Sequence, residues 1–189
     1  LFSLRSSFEA IGQEVVISGE EEILAKADKL ILPGVGAFED AAKKLRQNGL
    51  DRFVREQVAL GKPLLGICLG MQMLFDKSFE NGEFEGLGLI NGEIVPMQGT
   101  IPDTLKIPHI GWNSLNIIKK DGIFKDIDDN AYVYFVHSYF LKAANPEIVA
   151  AQTNYGVTID AAVEYKNVFA TQFHPEKSGE VGLKMLKNF

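Results

Sequence analysis

Between Lys62 and Phe75 an apolar, strand-like run, Pro63-Leu64-Leu65-Gly66-Ile67, passes through Cys68-Leu69-Gly70 into a helix-like run, Met71-Gln72-Met73-Leu74-Phe75. A buried strand that turns at once into a helix belongs to an open α/β sheet. Such a turn brings two backbones close, and glycine at Gly66 and Gly70 removes the Cβ atoms that would clash. The pattern is a G-x-S-x-G nucleophile elbow with sulfur in place of oxygen. Taken alone, Cys68 reads equally well as a core cysteine. The flanking glycines and the helix start favour the reactive reading.

The rest of the first half alternates strand and helix. Ser3 to Ile11 has apolar residues at helical spacing, Glu14 to Ile17 is a short strand, and Lys29 to Leu32 is a buried strand ended by Pro33-Gly34-Val35-Gly36. Phe38 to Leu60 reads as two helices broken at Gly49, and Lys62 to Ile67 as the next strand. In the second half, Leu89–Val95, Trp112–Ile118, Tyr132–Leu141, Ile148–Thr153, Thr158–Tyr165 and Val168–Phe173 read as strands, and Gly179–Phe189 as a helix capped by Ser178. The expected fold is α/β: a mostly parallel central sheet, flavodoxin-like, with helices on both faces and an antiparallel extension. One domain over 1–189 is expected. Because the sequence opens inside a helix, a further strand and loop are expected ahead of Leu1.

Composition narrows the function. A chain of this length buries roughly 70% of its unfolded surface without staples. A net charge of −6 argues against nucleic acid as the partner. One cysteine permits no internal disulfide and points to a reducing, cytoplasmic setting. No apolar run approaches the roughly 20 residues of a membrane span, so no membrane partner is expected. Three His and one Cys, scattered along the chain, make no metal site, and no cofactor motif is present.

The chemistry of a thiol nucleophile needs a base and an oxyanion site. The thiolate is the attacking form, and two features favour it: a helix N-terminus and a positive neighbour. His174 follows the last strand and could be that neighbour. Pro175 stops the strand. Glu176, at i+2 of an extended segment, lies on the same side and could orient the imidazole. As an isolated residue each is more simply a structural histidine or a surface carboxylate; together with Cys68 they read as a triad. Backbone N–H groups of Leu69 and of Val35 in the Pro33–Gly36 turn are candidate oxyanion donors.

At this point Gly66-Ile67-Cys68-Leu69-Gly70-Met71-Gln72 and His174-Pro175-Glu176 resemble the class I (triad) glutamine amidotransferases. Pro33-Gly34-Val35-Gly36-Ala37-Phe38, Pro108-His109-Ile110-Gly111-Trp112-Asn113 and Tyr134-Phe135-Val136-His137-Ser138-Tyr139 are similar to the branch that serves histidine biosynthesis. The resemblance implies that Cys68, His174 and Glu176 hydrolyse L-glutamine through a thioester. It implies that Gln72, Glu80, Ser138 and Tyr139 hold the substrate. It further implies a heterodimer with a (β/α)8-barrel cyclase subunit that receives ammonia, with Trp112, Asn113, Tyr134 and Lys177 at or near the interface. Other branches feed anthranilate, pyridoxal phosphate, carbamoyl phosphate, purine or CTP synthesis, and the triad motifs do not separate them. A non-catalytic subunit of the same fold and an unrelated cysteine hydrolase are the remaining alternatives.

Overall fold

The computed structural model describes residues 1–189. Helix α1 (Phe2–Ala10) and the short α2 (Glu21–Leu24) precede β1 (Leu30–Gly34). Helices α3 (Phe38–Gln47) and α4 (Leu50–Ala59) part at Asn48-Gly49, and β2 (Leu64–Cys68) runs directly into α5 (Leu69–Met73). Strands then dominate: β3 (Lys77–Ser78), β4 (Phe84–Glu85), β5 (Gly92–Pro96), β6 (His109–Ser114), β7 (Asn116–Ile117), β8 (Tyr132–His137), β9 (Tyr139–Ala143), β10 (Val149–Asn154), β11 (Thr158–Tyr165) and β12 (Val168–Thr171). Helix α6 (Gly179–Asn188) comes last.

The main sheet has six strands in the order β1-β2-β12-β11-β10-β7. Its β1, β2 and β12 are parallel, and β11, β10 and β7 extend it antiparallel. It is therefore a mixed sheet, parallel where Cys68 and His174 leave it. A second sheet runs β4-β3-β5-β9, and β6 pairs with β8 as a ribbon.

Every residue of β2 is buried, as a strand covered on both faces requires. Leu65 and Ile67 enter a core closed by Leu4 and Phe8 of α1 and Met185 and Leu186 of α6. Leu64 enters the opposite core, with Phe53 and Val54 of α4 and Met71, Leu74 and Phe75. Each such side chain contributes about 1.5–3 kcal/mol on burial, so the strand that carries the thiol is anchored from both sides. Helix α3 buries Phe38 and Ala42, one turn apart, and has Glu39 and Asp40 in its first turn and Lys44 and Arg46 in its last. That charge order suits the helix dipole.

Four expectations are corrected. Glu14–Ile17 forms no strand and pairs with nothing; Val16 and Ile17 are more than half exposed, and a strand needs a ladder as well as β-branched residues. Tyr132–Leu141 is two strands in two sheets, because the chain turns at Ser138, whose carbonyl accepts from Met97 N–H (3.0 Å). Trp112–Ile118 likewise splits at Leu115, whose N–H donates to the Ala131 carbonyl. Ser178 does not cap α6 through its side chain; its Oγ donates to the His174 carbonyl (2.6 Å) and accepts from Tyr134 N–H (3.0 Å). It therefore fixes the loop that bears His174. No helix is long and apolar enough to cross a membrane.

Candidate active site

Strand β2 delivers Cys68 to the start of α5 with φ 55° and ψ −113°. That conformation is uncommon for a residue with a side chain and costs on the order of 1–3 kcal/mol. Such strain persists only where the surroundings over-determine it. Here the glycines do so: a Cβ on Gly70 would lie 1.7 Å from the Leu32 carbonyl oxygen, and one on Gly66 would lie 2.9 Å from Met71 Cα. The elbow is thus a contact between α5 and the backbones of β1 and β2, with the sulfur at its apex.

Cys68 opens on a cavity of about 270 Å³ lined by Val35, Gly36, Leu69, Gln72, Glu80, Val136, His137, Ser138, Tyr139 and His174. Strand β12 ends at Thr171 and the chain bends at Gln172-Phe173 before His174, whose N–H donates to the Tyr134 carbonyl (2.9 Å). Pro175 then opens a single 3-10 turn. The imidazole Nδ1 meets Glu176 Oε1 at 2.8 Å. The other ring nitrogen, Nε2, is buried without a hydrogen-bond partner.

Burial by itself would lower the pKa of His174. Hydrogen bonding and charge from the Cys68 sulfur, and then from the Glu176 carboxylate, outweigh it and raise the pKa to about 9. The sulfur lies beside the ring, though not in ordinary hydrogen-bond geometry with Nε2. A protonated imidazole with an unspent Nε2–H beside the Cys68 sulfur is equipped to give a proton to a departing group.

The remaining walls are polar at chosen points. Gln72 Nε2 donates to the Tyr139 carbonyl (3.1 Å). Glu80 Oε2 accepts from Phe38 N–H (3.0 Å), so it is tied to the start of α3 while lining the cavity. Ser138 and Tyr139 form the wall where β8 gives way to β9. Val35 and Leu69 line the cavity from the β1–α3 turn and from α5.

Two groups escape the sequence reading. Gln172 is fully buried, and its Nε2 lies 3.8 Å from Cys68 Sγ. Its signal is available in the sequence: a glutamine in an otherwise apolar run, two residues before the candidate base. The second is the buried pair His109 and His137, with His109 Nδ1 and His137 Nε2 3.1 Å apart. Burial lowers the pKa of His137 to about 3 and that of His109 to about 4. Both are neutral at physiological pH. His137 Nδ1 must carry its proton to donate to the Tyr139 carbonyl (2.9 Å), so His137 Nε2 accepts from His109. Nothing local announces a pair 28 residues apart.

The ribbon β6–β8 forms the rim. Register pairs Ile110 with Val136, Trp112 with Tyr134 and Ser114 with Tyr132, and period-two alternation puts these on one face. Trp112 is 55% exposed, and Ile110 and Tyr132 are also more than half exposed. Trp112 packs edge-on against Tyr134 with ring centroids 6.1 Å apart, and Lys177 Nζ lies 5.8 Å from the Tyr134 ring centroid. Asn113 falls on the other side of the ribbon, where Nδ2 donates to the Asn154 carbonyl (2.9 Å). No three His, Cys, Asp or Glu side chains converge as metal ligands would.

The sequence matches the family described as glutamine amidotransferase class-I over residues 3–189. It is 47% identical over 191 residues to imidazole glycerol phosphate synthase subunit HisH of Geobacillus thermodenitrificans, covering all of this chain and 89% of that one. It is 49% identical over 189 residues to the subunit of the same name in Lactococcus lactis, covering all of this chain and 92% of that one. Among solved structures, a glutamine amidotransferase superposes with a TM-score of 0.76 at 20% identity, covering 99% of this chain and 92% of that one. PurLQS from Thermotoga maritima superposes with a TM-score of 0.75 at 22% identity, covering 99% and 90%.

Proposed function

The chain belongs to the class I glutamine amidotransferase family, and from that premise we propose that it is the glutaminase subunit of an imidazole glycerol phosphate synthase, releasing ammonia from glutamine for a (β/α)8-barrel cyclase subunit in histidine biosynthesis. The high identity to two subunits of that name supports this client over the other branches. The chemistry rests on one observation: a strained thiol and a protonated imidazole with a free Nε2–H share one cavity.

The Cys68 sulfur attacks the side-chain carboxamide carbon of glutamine. The C–N bond breaks as His174 gives the Nε2 proton to the departing ammonia, leaving a thioester. Water then gives a proton to His174 and its oxygen to the thioester carbon. The C–S bond breaks, and glutamate leaves. Glu176 keeps the imidazole in register and stabilises its cation. The N–H groups of Leu69 and Val35 meet the developing oxyanion; Gln72, Glu80 and the Ser138–Tyr139 wall hold the amino acid. The cytoplasm, a reducing compartment, keeps the single thiol free.

The exposed face of the β6–β8 ribbon supports the partner. Val136 belongs to that face and also lines the cavity, so a protein seated on Trp112 and Tyr134 would stand at the mouth from which ammonia leaves. The direct test is ammonia release from glutamine with and without the cyclase subunit. Stimulation at saturating cyclase is expected; unchanged turnover would remove the histidine-pathway assignment.

Two further outcomes are expected. Trp112→Ala weakens the heterodimer by about 1 kcal/mol or more, roughly fivefold in Kd, if the ring anchors the interface; titration calorimetry reads this, and an unchanged Kd counts against that surface. The kcat/KM for glutamine falls as pH rises through about 9, because the acid that serves ammonia is the His174 imidazolium. Glu176→Gln removes one of the two groups that hold this proton, so the alkaline limb moves to lower pH. A limb that stays in place would deny Glu176 its part.

A further inference from the structure

The segment between β12 and His174 brings a second polar side chain to the nucleophile. Gln172 is fully buried, and its amide has no freedom to flip. Tyr139 offers Gln72 a carbonyl oxygen, which only accepts, so the Nε2 end of Gln72 must face it (3.1 Å). The second hydrogen on that Nε2 goes to Gln172 Oε1 (3.0 Å). With its oxygen committed, Gln172 turns its Nε2 end toward Cys68 Sγ, 3.8 Å away. The amide ends of glutamine have nearly the same shape, so it is this donor–acceptor sequence that decides which one meets the sulfur. The chain is anchored further back, since the Tyr139 carbonyl also accepts from neutral His137 (2.9 Å).

The sulfur has one other polar neighbour in hydrogen-bond range, the Val136 carbonyl oxygen at 3.8 Å. A thiol can donate its S–H there; a thiolate has no proton to give and is repelled by that oxygen. Gln172 acts in the opposite sense, because its N–H is a stronger partner for an anionic sulfur than for a neutral one. We propose that Gln172 is a further catalytic residue, which donates its side-chain N–H to the Cys68 sulfur and favours the attacking thiolate over the neutral thiol. The sulfur's proton is then the one His174 already holds on Nε2, so the thiolate and the imidazolium form together. This inference rests on the reading of Cys68 as the nucleophile.

Cys68 is the only cysteine, so alkylation by iodoacetamide reports this sulfur alone. The measurement uses the heterodimer with the cyclase subunit, wild type against Gln172→Met, which keeps length but has no donor, and Gln172→Glu, which still accepts from Gln72. Near neutral pH, alkylation is expected to slow about tenfold in Gln172→Met, the equivalent of one pH unit, and further in Gln172→Glu. At strongly alkaline pH, where the thiol ionises without help, the variants should catch up. The kcat for glutamine falls with the neutral-pH rate, and KM changes less. A purely structural role would slow alkylation by the same factor at both pH values, and that result, or no slowing at all, overturns the proposal. Wild-type NMR decides if neither variant folds: the Gln172 side-chain amide resonance should move as the sulfur ionises and stay fixed in Cys68→Ala, and a resonance indifferent to pH overturns the role. If the wild-type heterodimer released no ammonia from glutamine, the reading of Cys68 itself would fail. Normal turnover with an unmoved alkylation profile in the variants removes Gln172 only.

Discussion

Cys68→Ala is expected to cut glutamine-dependent synthesis by on the order of 10⁴-fold or more, while synthesis from added ammonia continues in the same heterodimer. The first half of the expectation follows from the covalent step: without sulfur no thioester forms, and His174 has no attacking partner. Removing one member of a unit costs nearly as much as removing all of it. The second half follows from where the sulfur sits. Its hydrogen-bonding neighbours, the Val136 carbonyl and Gln172 Nε2, both lie at 3.8 Å, so a smaller side chain leaves the elbow and the ribbon face in place. Parallel assays with glutamine and with ammonium salt read the two halves. Loss of both in a folded, assembled variant would refute the division of labour between the subunits. Substantial turnover with alanine at this position would remove the thioester.

The elbow was legible because its causes are local. Gly66 and Gly70 flank Cys68 at two residues on either side, and the clashes they avoid are with segments a few residues away or with the neighbouring strand. The His174-Glu176 contact was legible for the same reason, two residues of separation. Failures came where a contact partner far along the chain decides the outcome. Aromatic and β-branched residues dominate Tyr132–Leu141 on both sides of the break, and a carbonyl at Ser138 engaged by Met97, forty-one positions back, marks the change of sheet. Glu14–Ile17 has the composition of a strand and no ladder to join. The expectation that Glu176 follows His174 in an extended segment is corrected, because Pro175–Lys177 is a 3-10 turn. Gln172 could still have been found, since it stands two residues before His174 as Glu176 stands two after. Closeness in sequence rather than strand parity brings the three together. The His109–His137 pair is a matter of ribbon register, which pattern alone does not fix.

The second large effect is structural. Gly70→Ala is expected to cost more than about 4 kcal/mol, at the extreme of what single substitutions do and a large share of the roughly 5–15 kcal/mol available to a domain. The added Cβ would stand 1.7 Å from the Leu32 carbonyl oxygen, 2.6 Å from its carbon and 3.2 Å from the Pro33 carbonyl carbon. All three are backbone atoms, so no side chain can swing aside. Nor can β1 retreat, because Leu32 and Pro33 are in register with Gly66 and Ile67 of β2. The strain must go into α5, which would tilt away and carry Cys68 and the Leu69 N–H with it. A variant that survives should therefore be inactive as well as unstable. Gly19→Ala supplies the control, since a Cβ there meets nothing within 4 Å and should change stability by no more than about 0.5 kcal/mol. Urea denaturation of the two variants side by side decides: equal midpoints would mean that α5 and β1 do not press on each other, and the strain that holds Cys68 at the apex would lose its cause.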